Sequence, residues 1–299
     1  FERLFQDFSS RRRNFPVRII DLFERTKIMQ EQNYKIDFFT GIILVVGLFI
    51  GAALAQAVGL GLSALFSWNI QETGWFQILA YIFTFLTPIL FFYFLIARNE
   101  GQKLSFDFST KPFRVYLLIF PMMFGMMLVA DYLSQLIPTT GRFLGPVYKM
   151  YNEEFAKLLS SPVSLILMTV VLAPILEEIL FRGILMKGMI HNKVKPATAI
   201  IASAVIFGAV HFNPWQFVGA CLLGLVLGLV YHKTKSLLMP ILLHAFNNLL
   251  SAMMMLYSDS ETFSGLFNIN KTILLLAGLV IFAIPFYFFA IHKNIIYKD

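Results

Sequence analysis

From residue 38 onward, long apolar runs alternate with short polar breaks to within a few residues of the end of the chain. Eight runs read as membrane helices: 38–66, 75–97, 113–137, 162–187, 197–213, 215–231, 237–257 and 272–291. A span needs about 20 predominantly apolar residues, and the fifth and sixth runs fall near or below that length. These two share a tight connection, Phe212–Asn213–Pro214. In hydrocarbon every backbone N–H and C=O must be paired within the protein, so helix is the expected form of each run. The pattern predicts an all-α, polytopic membrane protein with about eight transmembrane helices. It divides into a basic N-terminal arm over 1–37 and one integral membrane domain over 38–299. There is no internal repeat, low-complexity tract or separate polar domain.

Composition agrees with the pattern. The chain is 58% hydrophobic and 14% charged over 299 residues, whereas soluble domains carry about a quarter charged residues. The net charge of +7 would suit nucleic acid, but its distribution points to a membrane instead. With the arm inside, the inner segments hold 19 of the 24 Lys and Arg residues and the outer loops hold 4. The remaining one is Arg182, inside a run. Such asymmetry predicts both termini in the cytoplasm and no nucleic-acid partner. The arm places Phe1, Leu4, Phe5 and Phe8 at helical spacing ahead of Arg11, Arg12 and Arg13. It reads either as an amphipathic helix on an anionic leaflet or as a solvated arm that only sets topology. No signal peptide is expected, because the first 37 residues lack a short apolar core and a small-residue cleavage site. The single cysteine, Cys221, reads as a packing residue.

Ionisable groups at membrane depth are costly, so each needs a partner or a task. Those inside the runs are Asp131, Glu177, Glu178, Arg182, His211 and His244, with Asn247 and Asn248 beside the last. Glu178 and Arg182 are four residues apart and face each other on a helix. Glu177 is rotated about 100° from that pair and is left to face a cavity. Pro174, three residues before Glu177, is expected to kink or open the helix and admit water. Phe207 and His211 share a face, as do His244 and Asn248. At about 1.5 Å per residue from the inner end of each run, Glu177 lies about 15 Å deep, His211 about 22 Å, His244 about 12 Å and Asn248 about 18 Å. Four polar side chains from three runs, the fourth, fifth and seventh, therefore share one slab of membrane. Asp131 reads as structural. A carboxylate and an imidazole can hold and deprotonate water, and a second imidazole with an amide can donate to an oxyanion. The same Glu177, His211 and His244 could instead bind Zn2+ with an open position. No close histidine pair of the H-E-x-x-H type is present, and no serine or cysteine nucleophile has an adjacent base.

The three motifs Glu177-Glu178-x-x-x-Arg182, Phe207-x-x-x-His211 and His244-x-x-x-Asn248 resemble, in order, those of the CPBP (CAAX protease and bacteriocin-processing, Abi) family. The resemblance covers about residues 160–250, and it implies an intramembrane endopeptidase related to the CAAX prenyl protease. Carried over by position, Glu177 and His211 would activate water, and His244 and Asn248 would line the oxyanion site. Glu178 and Arg182 would support them. A glutamate mechanism without a cofactor is favoured by the resemblance, with a zinc metalloprotease as the alternative. The implied partners are the lipid bilayer and a peptide or membrane-protein substrate. The composition, rich in Phe, Ile and Lys, suggests a bacterial plasma membrane. Two other functions compete. One is a non-catalytic bacteriocin-immunity or scaffold protein on the same fold. The other is a proton-coupled transporter, against which the lack of repeats argues.

Overall fold

The structure, a computed structural model, describes residues 34–258, 260 and 262–291. The expectations for the arm before Tyr34, and for residues 292–299, lie outside the described residues. The described secondary structure is helical. α1 is Phe38–Phe66, started by Asp37, whose carboxylate accepts the Thr40 N–H at 2.8 Å. α2 runs Gly74–Phe91 and continues through a wide π turn, Phe92–Ala97. α3 is Phe113–Ser134 and α4 is Leu144–Leu159. α5 covers Pro162–His191, and α6 covers Pro196–Ala209. α7 is Pro214–Thr234, with Pro214 at its first turn and the Asn213 side chain accepting the Gln216 N–H. α8 is Leu238–Tyr257, α9 is Phe263–Phe267, and α10 is Lys271–Phe286, which continues into a π turn, Tyr287–Ile291.

All eight apolar runs fold as helices, and seven are long and apolar enough to cross a membrane. Their outer faces carry exposed Phe, Leu and Ile side chains, such as Phe49, Leu54, Ile201 and Leu276. In water such faces would be a liability; in a membrane they meet lipid. Three details differ from the sequence expectation. The fifth run stops as a helix at Ala209 instead of 213. At 1.5 Å per residue its 14 residues reach about 21 Å. The outer loop 138–161 contains α4, a two-faced helix whose Tyr148 and Tyr151 pack on Trp215. Its low mean hydropathy hid it from a search for apolar runs. Pro174 does not break α5. It sits in the first turn of the α-helical piece Ala173–Glu178, between π turns at Leu167–Leu172 and Ile179–Met186. Wide turns of this kind absorb a proline's missing N–H and often mark functional positions.

Among the described residues, two large apolar clusters build most of the core, and a smaller third gathers Met186, Ala199, Tyr231 and Leu237. One large cluster joins α3, α7, α8 and α10 around Ile119, Met123, Val230, Leu243 and Leu274. The other joins α1, α2, α5 and α6 around Leu48, Phe85, Phe92, Leu180 and Phe207. The polar residues of α5 and α8 lie between them. Close approach of α3 and α10 depends on Gly125: a Cβ there would sit 2.4 Å from the Phe282 nitrogen and 2.7 Å from the Gly278 oxygen. Gly125→Ala is therefore expected to cost about 1–3 kcal/mol by overpacking. It would be read as a lowered unfolding midpoint in detergent, and an unchanged midpoint would refute that contact.

Two extended segments brace the end of α5 that follows the site. Tyr34 donates its hydroxyl to the Gly183 carbonyl, and the Ile36 N–H bonds the Gly188 carbonyl at 3.0 Å. The His191 Nδ1 and Asn192 Nδ2 return bonds to the Tyr34 and Ile36 carbonyls. From the other side, the Lys187 Nζ donates to the Ser105 carbonyl at 2.6 Å, and the Leu237 N–H bonds the Asp107 carbonyl at 2.7 Å.

Candidate active site

The site is built on α5. Glu177 and Glu178 are the last residues of its central α-helical piece, and Arg182 follows in the π turn. Arg182 and Glu178 are fully buried, and the Arg182 Nη1 donates to the Glu178 Oε1 at 2.7 Å. The other end of the guanidinium fork, Nη2, donates to the Gly224 carbonyl of α7 at 3.1 Å. Its plane lies over the Phe207 ring, 4.7 Å from the ring centroid. The Arg182 Nε and the Glu178 Oε2 are buried with no hydrogen-bond partner. This four-residue pair is the one the helical spacing led us to expect.

His244 of α8 stands against both carboxylates. Its Nδ1 is 3.0 Å from the Glu178 Oε1 and its Nε2 is 3.8 Å from the Glu177 Oε2. With Nδ1–H donated to Glu178, Nε2 faces Glu177. The buried cluster then contains two carboxylates and one guanidinium. The second oxygen of Glu177, Oε1, accepts a hydrogen bond from the Tyr81 hydroxyl of α2.

Asn248, one turn after His244, donates Nδ2 to the Thr169 carbonyl at 2.7 Å, in the π turn before Pro174. Its Oδ1 accepts from the Asn247 Nδ2 at 2.8 Å. One N–H of Asn248 remains for another acceptor. Asn247 is the residue that orients Asn248.

His211 follows the short α6, in the turn 210–213, where Phe212 adopts a left-handed backbone (φ 55°). Its Nδ1 lies 2.8 Å from the Phe207 carbonyl, so Nδ1–H donates there and Nε2 is the free nitrogen. The Phe207 ring makes edge contacts with His211 and His244, at centroid distances of 5.2 and 5.7 Å, and with Phe181 at 5.2 Å. Ser203, one turn before Phe207, fastens α6 to α5 through the Phe181 carbonyl at 3.0 Å.

Glu177, Glu178, Arg182 and His244 thus form one bonded cluster, and His211 joins it through the Phe207 ring. The zinc alternative would require Glu177, His211 and His244 to converge on one point. Among the described residues no three His, Cys, Asp or Glu side chains form such a group, so this donor set does not fit the metal as arranged. Asp131 lies elsewhere, near the end of α3, where it accepts from the Gln135 Nε2 at 2.9 Å. Cys221 is half-buried at the α6–α7 contact, against Gly208. The sequence reading missed Tyr81 and the Thr169 carbonyl. A tyrosine in the middle of an apolar run was the available signal, since a buried phenol seeks a polar partner.

Residues 159–250 match the family described as Type II CAAX prenyl endopeptidase Rce1-like. YdiL of Bacillus subtilis (strain 168), a candidate membrane peptidase by name, is 33% identical over 92 residues. That alignment covers 31% of this chain and 37% of YdiL. No solved structure matches the chain. Tyr81 lies outside the matched segment, whereas Glu177, Glu178, Arg182, Phe207, His211, His244 and Asn248 lie within it. The segment 159–250, set in a bundle of membrane-length helices, is thus similar to the Type II CAAX prenyl endopeptidase Rce1-like family and to part of a membrane peptidase.

Proposed function

We propose that the protein is an intramembrane endopeptidase that hydrolyses a peptide bond of a membrane-associated peptide or protein. The observation that carries this reading is the carboxylate of Glu177. It is the one acid of the cluster without a guanidinium bond, and it faces an imidazole nitrogen at 3.8 Å. Glu177 takes a proton from water as the water oxygen attacks the scissile carbonyl carbon. His211, with Nε2 free, holds that water. The remaining N–H of Asn248 donates to the oxyanion, together with His244. His244 lies between Glu177 and Glu178, so it also suits passing the proton on to the leaving amine. Glu178 and Arg182 fix the tautomer of His244 and neutralise the buried charge.

No cofactor is assigned, and chelation is expected to leave turnover unchanged. The basic residues flanking the spans favour an inner position for both termini in a bacterial plasma membrane. The deciding experiment maps new peptide termini in membranes of cells that express the wild-type protein or His211→Ala at equal level. Termini produced by the wild type and lost in the variant are expected. If no terminus depends on His211, the peptidase reading falls and a binding role takes its place.

A further inference from the structure

We propose that Tyr81 is a positioning residue for Glu177, holding its carboxylate apart from the neighbouring charge cluster; this rests on the peptidase reading. The two acids are consecutive in the chain, and one guanidinium serves the pair. Arg182 interacts electrostatically with Glu177 as well as with Glu178. A free Glu177 side chain would therefore be drawn toward the cation that Glu178 already uses. What holds it back is the phenol of Tyr81, donated from α2 to the Glu177 Oε1. The other oxygen is left facing His244. Two helices, α2 and α8, thus fix the plane of one carboxylate, and a base aimed in this way loses little freedom at the moment of reaction.

The Tyr81 ring is itself held, lying against Phe85 one turn on with a centroid distance of 4.9 Å. On its other side it lines a cavity of about 210 Å³ between α1 and α2, walled also by Ala55, Gln56, Gln71, Gln77 and Thr84. The phenol stands between that space and Glu177. It fills the side of the carboxylate that solvent would otherwise bond.

Tyr81→Phe keeps the ring and removes the donor, so it is the informative change. Dicyclohexylcarbodiimide, an apolar reagent for protonated carboxyl groups in membranes, serves as a probe that needs no substrate. In the purified full chain, the Glu177 adduct read by mass spectrometry is expected to form several-fold more slowly in Tyr81→Phe than in wild type, because the released carboxylate turns onto Arg182. Phe85→Leu disturbs the same packing and leaves the phenol, and it is expected to label at the wild-type rate. The second arm measures cleavage of an internally quenched, farnesylated Cys-a-a-X peptide in proteoliposomes. There Tyr81→Phe is expected to lower kcat about tenfold, the scale of one hydrogen bond to a charged group, with KM within twofold. Equal or faster labelling of Tyr81→Phe overturns the proposal, as does slowed labelling of Phe85→Leu. An unchanged kcat overturns it too. If the wild type cleaves nothing, the peptidase reading is what fails, and the labelling arm still decides whether Tyr81 governs Glu177.

Discussion

Glu177→Gln is expected to lower the rate of peptide cleavage about 10³- to 10⁴-fold, the upper range of a positioned general base. The amide preserves size and can still occupy the space between Tyr81 and His244. It cannot accept a proton from water. The Glu178–Arg182 pair is untouched, so the folded state should survive with an unfolding midpoint close to wild type. Loss of turnover without loss of stability therefore isolates chemistry from folding. The measurement is single-turnover cleavage in proteoliposomes, beside thermal unfolding in detergent. Undiminished cleavage by Glu177→Gln would remove Glu177 as the base.

Arg182→Met is expected to act in the opposite way, through stability. Arg182 is fully buried and is the cation bonded to Glu178, which is also fully buried. Without it, Glu178 keeps only the His244 Nδ1 contact at 3.0 Å. Leaving one charge of a buried pair uncompensated costs about 3–5 kcal/mol. The bond to the Gly224 carbonyl and the stack on Phe207 are lost as well. A strong fall in the unfolding midpoint should follow. Removing both charges, as in Glu178→Leu with Arg182→Met, should restore much of that loss, because apolar replacements of buried pairs are often neutral. Cleavage should stay low in the double variant, since His244 no longer has Glu178 to fix its Nδ1. If the double variant is no more stable than Arg182→Met alone, packing rather than charge sets the cost.

Much of this arrangement was legible in the sequence because membrane helices obey simple constraints. Length and apolarity located all eight helices, and the four-residue spacing paired Glu178 with Arg182. Rotation about the helix axis set Glu177 apart from that pair, as its separate partner in α2 bears out. What depth along each helix could not supply was rotation between helices. His244 was read as an oxyanion donor or, alternatively, a zinc ligand, yet it lies against both carboxylates. The role of Tyr81 was harder to read, because its partner is 96 positions away on another helix and a tyrosine inside an apolar run signals only that a polar partner is sought. α4 was missed for a different reason: its apolar positions are spaced around Tyr148 and Tyr151 without forming a continuous run. The π turns around Pro174 were read as a kink, since periodicity alone does not distinguish a wide turn from a bend.

The shortness of α6 has a consequence for the surrounding lipid. A hydrocarbon core is about 30 Å thick, and α6 reaches about 21 Å over its 14 residues. Ile201 and Val205 on this helix are exposed, as is Phe212 beyond its end, where it meets Phe49 of α1. Acyl chains against this side must therefore shorten or splay, which is hydrophobic mismatch confined to one flank of the bundle. The thinned flank is the one that carries His211. Under the proposed peptidase activity, a polypeptide substrate reaching His211 along this flank would cross less hydrocarbon, and lipid thickness would become a variable of the reaction.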